Sequence, residues 1–72
     1  MLAIVLICAL GQQPWECQRP TARDVMVFHT EARLPYACLR EAQMHAAEVS
    51  QTRDLTGEWL KIGCEPEPKD DL

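Results

Sequence analysis

The first ten residues, Met1 to Leu10, carry no charged side chain, and apolar groups fill both alternating positions of the run. In an extended chain Leu2, Ile4, Leu6, Cys8 and Leu10 share one face, and Ala3, Val5, Ile7 and Ala9 the other. That is the pattern of a central strand covered on both sides, with Gly11 and Pro14 supplying the stop. A second strand is expected over Asp24 to Thr30, around the β-branched and large residues Val25-Met26-Val27-Phe28-His29. Its Val25, Val27 and His29 share one face, Met26 and Phe28 the other. The stretch between, Gly11 to Ala22, is rich in turn formers and reads as a loop. Leu34-Pro35 opens a helix, because proline loses nothing in the first turn, where its missing N–H has no partner. Cys38, Ala42, His45 or Ala46, and Val49 recur at helical spacing as one stripe running to about Arg53, and Gly57 supplies the turn that follows. Glu58 to Cys64 is a third strand, with Leu60, Ile62 and Cys64 on one side and Trp59, Lys61 and Gly63 on the other.

The predicted fold is therefore α+β, in the order β-β-α-β. The first two strands are antiparallel, and the helix returns the chain so that the second and third run parallel. The doubly apolar first strand belongs in the middle, giving the sheet order 2-1-3 with one helix on one face. This topology pairs the cysteines. Cys8 and Cys17 meet at one end of the sheet, and Cys38 meets Cys64 at the other; the two bridges stabilise by roughly 3 and 3.5 kcal/mol on loop-entropy grounds. The helix is expected over Leu2, Ile4 and Leu6 together with Leu60 and Ile62. The opposite face, with Val5, Ile7, Phe28 and Trp59, would then be left open, and such an apolar patch marks an interaction surface. Trp15, in the loop, either caps one end of the core or is an exposed anchor for a partner.

Length and composition narrow the class. At 72 residues the chain makes one small domain, expected over 1–64, which needs staples, and four cysteines supply them. The net charge is −4, of which −3 falls in the last eight residues, an acidic proline-containing tail over 65–72. No basic face is available to neutralise phosphates, so no nucleic-acid partner is expected. The opening run is too short for a membrane span. As a signal peptide it lacks a basic start, although Ala9-Leu10-Gly11 is a tolerable cleavage site; cleavage there would strip Cys8 and leave an odd number of cysteines. No cysteine spacing suits zinc, and no glycine-rich loop suits a phosphate. Cys38 and His45 lack an orienting acid or an oxyanion donor. No catalytic residue, metal or cofactor is expected.

The apolar start with Ile7-Cys8-Ala9-Leu10, then Glu16-Cys17, a short strand, Cys38 within a helix, and Trp59 ahead of Cys64 is similar to a loose group. These are small four-cysteine proteins of unknown function from alphaproteobacteria and their phages. The resemblance lies in spacing over residues 4–64. It implies no activity and adds a phage association.

The function expected is that of a non-enzymatic accessory structural protein docked on a larger assembly, such as a decoration or cement protein of a phage capsid or tail. Its disulfides would form after release from the cytosol. The alternative is a secreted or periplasmic inhibitor or envelope factor, with residues 1–11 as its signal. A third reading, an acidic phosphate mimic inhibiting a nucleic-acid enzyme, is disfavoured because the charge sits in a tail and not across a face.

Overall fold

A computed structural model describes residues 1–66. The described residues form β1 (Leu2–Ala9), β2 (Asp24–His29), α1 (Pro35–Thr52) and β3 (Glu58–Glu65). The sheet order is β2-β1-β3, with β1 antiparallel to both neighbours. Residues 67–72, most of the expected acidic tail, lie outside the described region. Glu65, assigned to that tail from sequence, instead completes β3 and pairs with Arg19 at 2.9 Å.

β1 occupies the middle because only there can seven consecutive apolar residues leave water. Leu2 to Cys8 are all buried, and Ala3, Val5, Ile7 and Cys8 are fully so. Burying one such Val, Leu or Ile side chain stabilises by about 1.5–3 kcal/mol, which makes β1 the largest apolar contributor in the fold.

The helix covers the Leu60, Ile62 and Cys64 side of β3, as expected, but with it the Ala3, Val5 and Ile7 side of β1 and not Leu2, Ile4 and Leu6. In the observed register Val5 lies beside Ile62, Ala3 beside Cys64, and Ile7 beside Leu60. Cys38 and Ala42 of α1 pack on that face against Ala3, with Phe28, Ile62 and Cys64 around them. Small residues on both sides bring the helix close to the sheet. Its N-terminus has no side-chain cap, and Pro35 stands in the first turn. Packing and the Cys38–Cys64 bridge therefore hold α1 more than its own ends do.

Nor is the other face left open. The segment between β1 and β2 folds over it and places Cys17 against Leu2, Ile4, Leu6 and Cys8, with Ala22, Val25 and Trp59 at the margin. Trp59 lies directly beside Cys8, and so on this face and not with Val5 and Ile7. The disulfides are Cys8–Cys17 and Cys38–Cys64, as the topology predicted. One bridge fastens a cover to each face of β1.

At the end of the sheet that holds the Cys8–Cys17 bridge, Arg53, the residue after the helix, ties the strands together. It bonds Asp24 of β2 at 2.9 Å and approaches Glu58 of β3 at 3.8 Å, while Arg23 reaches the same Glu58 at 3.4 Å. The turn into β3 is set by Asp54, whose carboxylate accepts the Thr56 hydroxyl at 2.6 Å and the Thr56 amide at 3.0 Å. Those bonds hold the Asp54 carboxyl below its ordinary range. Gly57 completes the turn at φ 75°, a backbone region glycine adopts without strain.

Each bridge should matter separately. Replacing Cys8 and Cys17 together by serine, or Cys38 and Cys64 together, is expected to cost about 3 kcal/mol in urea unfolding. Loss of the first pair should expose Leu2, Ile4 and Leu6 to a hydrophobic dye with the helical circular dichroism retained; loss of the second should reduce the helical signal.

Candidate docking loop

The segment from Leu10 to Arg23 carries the exposed aromatic side chain of Trp15 on a tightly tied backbone. It leaves β1 where the Leu10 amide donates to the Gly57 carbonyl at 2.9 Å. The Gln12 side chain then accepts the Ala9 amide at 2.8 Å and donates to the Thr21 carbonyl at 3.1 Å, so one amide clamps both ends of the loop. A turn follows in which the Glu16 and Cys17 amides donate to the Gln13 carbonyl and the Glu16 carboxylate accepts the Gln13 amide. The Thr21 hydroxyl donates to the Glu16 carbonyl at 2.6 Å and accepts the Gln18 amide at 2.9 Å. Gln and Thr at these positions satisfy a backbone that no strand could pair.

Two further ties fix the loop to β3. Lys61 Nζ donates to the carbonyls of Pro14 at 2.7 Å and Cys17 at 3.0 Å. Arg19 pairs with Glu65. With the Cys8–Cys17 bridge at its centre, the loop is held on one side by a covalent bond and on the other by a cation.

Trp15 stands at the tip and is 72% exposed. It does not cap the core; Trp59 does that, half-buried, its indole N–H donating to the Ala9 carbonyl at 2.8 Å. Leu10, at the foot of the loop, is 71% exposed. An exposed indole on a fixed backbone is a ready anchor for a partner, because little ordering entropy remains to be lost on binding. The other residues expected at a partner surface are placed differently. Val5 and Ile7 are fully buried beneath α1 and cannot touch a partner in this fold. Phe28 is half-buried, its ring stacked flat on that of His45 at 3.8 Å. The expected surface of Val5, Ile7, Phe28 and Trp59 therefore does not assemble: two members are core, and Trp59 faces the other way. The sequence does not mark Leu10 or Lys61 as part of this site, because Leu10 reads as the end of the first strand and Lys61 as an outer-face position of the third.

The hollows in the molecule offer little chemistry. A cleft of about 130 Å³ lies between Gln18-Arg19 and β3, floored by Ile4, Leu6 and Gly63, but its cations Arg19 and Lys61 already have partners. A shallower hollow of about 220 Å³ is lined by His29, Glu41, Met44, His45 and Glu48. Among the described residues no group of three or more His, Cys, Asp or Glu is arranged to hold a metal ion. Cys38, weighed as a nucleophile beside His45, is held in its disulfide.

Comparison with known proteins found no matching family model, no matching curated protein and no matching solved structure. Among the described residues no helix is long and apolar enough to cross a membrane. The paired cysteines are compatible with an extracellular or secreted protein.

Two substitutions test the loop's construction. Lys61→Met keeps the aliphatic stem and removes both bonds to the loop, and should speed amide exchange across 13–19 while β1 stays protected. Gly63→Ala places a methyl group where nothing lies within 4 Å, and is expected to raise stability by about 0.5–1 kcal/mol in urea unfolding.

Proposed function

We propose that the chain is a non-enzymatic accessory protein that docks onto a larger assembly outside the reducing cytosol. The observation that carries this reading is Trp15: a large aromatic side chain, 72% exposed, at the tip of a loop fixed by a disulfide and a dense set of hydrogen bonds. A loop tied this heavily while leaving its indole in water spends hydrogen bonds on presenting a side chain. Leu10 adds apolar surface at the foot of the same segment. The docking element is thus the loop, and not the sheet face expected from sequence.

The assembly we favour is a phage particle, with the chain as a decoration or cement protein of capsid or tail. Its support is the spacing of Cys8, Cys17, Cys38 and Cys64 and the use of all four in bridges. A secreted or periplasmic inhibitor is the alternative. The form of it that uses residues 1–11 as a signal fits this fold poorly, because removing them would delete β1, the strand on which both covers pack.

The test is fractionation of the native source expressing the chain from its own locus. The wild-type protein should sediment with a large particle, and Trp15→Ala should remain in the light fraction while keeping both disulfides and its circular dichroism. A wild-type chain found only as a free small protein would overturn the proposal.

A further inference from the structure

We infer that the Cys38–Cys64 bridge is a redox latch: a dithiol opens it ahead of Cys8–Cys17 and lets the N-terminal half of α1 lift from the sheet on a hinge at Arg53. The two bridges differ in their access to solvent. Cys8, Cys17 and Cys38 are fully buried, whereas Cys64, on the outer strand β3, is half-buried. A reductant therefore meets Cys38–Cys64 from its Cys64 end and finds Cys8–Cys17 sealed. Sealed bridges resist reduction and exposed ones are labile. Sequence separation acts in the same direction. Cys8 and Cys17 are 9 residues apart, Cys38 and Cys64 26, so the first pair returns to contact more readily. The Lys61 and Arg19 ties to the loop hold that first pair together as well.

The cover that this bridge holds is built to lift. Of the 18 residues of α1, Cys38 and Ala42 are fully buried, both in its N-terminal half. Among the described residues no side chain caps α1, its first turn carries no acid and its last no base. Most of the stability of such a helix comes from packing its buried face. Its C-terminal end is fixed separately. The Arg53 guanidinium pairs with Asp24 at 2.9 Å and meets Glu58 at 3.8 Å, and the Asp54–Thr56 turn follows. Before the helix, residues 30–34 form neither helix nor strand, and Glu31, Arg33 and Leu34 are exposed. So α1 is anchored at Arg53 and joined to β2 by irregular chain. Between these ends the bridge, Ala42 and the His45–Phe28 stack at 3.8 Å hold it down.

The chemistry needs a dithiol as its co-reactant. One thiolate of the dithiol attacks Cys64 Sγ and forms a mixed disulfide. The Cys38–Cys64 bond breaks with its electron pair on Cys38 Sγ, which takes a proton. The second thiolate of the dithiol then closes on the mixed disulfide, and Cys64 leaves and is protonated in turn. Two electrons and two protons pass to the cysteines, and the dithiol ends as a cyclic disulfide. Cys38 Sγ lies 3.6 Å from the Leu2 carbonyl oxygen, so the new thiol has an acceptor in place. Lifting the N-terminal half of α1 uncovers Ala3, Phe28 and Ile62, which now pack against Cys38 and Ala42. The loop on the opposite face stays closed, because its own bridge has not been reached.

The test uses the full oxidised wild-type chain. It is titrated with dithiothreitol, and samples are quenched in acid, unfolded and blocked with N-ethylmaleimide, so that buried thiols are labelled too. Mass spectrometry should show a species with two labels, at Cys38 and Cys64, before any label reaches Cys8 or Cys17. Over the same titration a hydrophobic dye should brighten and amide exchange should speed across residues 35–44, with 13–19 unchanged. Reoxidation should reverse both. Opening of Cys8–Cys17 first, opening of both bridges together, or resistance of both would overturn the order. A two-label species with unchanged dye binding and unchanged exchange in α1 would overturn the latch.

Discussion

The fold depends on keeping one strand dry from both sides. β1 presents apolar side chains in both directions, so it has no face that can be turned to water. A larger α/β protein would meet this demand with a helix on each face. This chain contains one helix among its described residues, and the second cover is a loop. A loop has little apolar surface of its own and many backbone groups to satisfy. It can replace a helix here only because Cys17 is bonded to Cys8 and because Gln12, Glu16 and Thr21 pair its amides and carbonyls locally. The two disulfides are therefore not interchangeable staples. Cys38–Cys64 fastens a helix that already packs through Ala42, whereas Cys8–Cys17 supplies much of the contact that makes its cover a cover.

The same constraint explains how the surface is divided. The loop is exhausted by the work of covering β1, and its tip has no core left to bury Trp15 in. Trp59, directly beside Cys8 on β3, takes the capping place and satisfies its indole N–H on the Ala9 carbonyl. Both covers bond most heavily to β3, so the molecule is well closed on that side and less closed over β2. The exposed indole at the tied loop follows from this shortage of covering chain.

How far the sequence could be read is instructive at particular residues. The elements, the sheet order 2-1-3 and both cysteine pairs were legible, because strand period, helix period and the end at which each cysteine lies all point the same way. The side taken by the helix was not. Alternation fixes a register only when one face is polar, and β1 is apolar on both, so Ile62 beside Val5 or beside Ile4 looks equally good in the pattern. The cysteines held the answer. Cys8 shares a face with Leu2, Ile4 and Leu6, and Cys64 shares one with Leu60 and Ile62; a bridge to the loop and a bridge to the helix must put those sets on opposite sides. Trp15 was ambiguous for a similar reason. Two tryptophans competed for one capping place, and only the strand pairing shows which of them reaches the Ala9 carbonyl.

The position of β1 in the chain sets the order in which the molecule is built. β1 is synthesised before either of its covers, yet its last hydrogen-bonded neighbour begins at Glu58 and pairs Leu2 with Glu65. Until then the most apolar strand of the protein waits without a helix, without β3 and, in a reducing compartment, without the bridge that holds its loop. Such a segment is a site for aggregation or for a chaperone during that interval. The fold of residues 1–66 is thus complete only when β3 has joined β1 and an oxidant has closed both bridges.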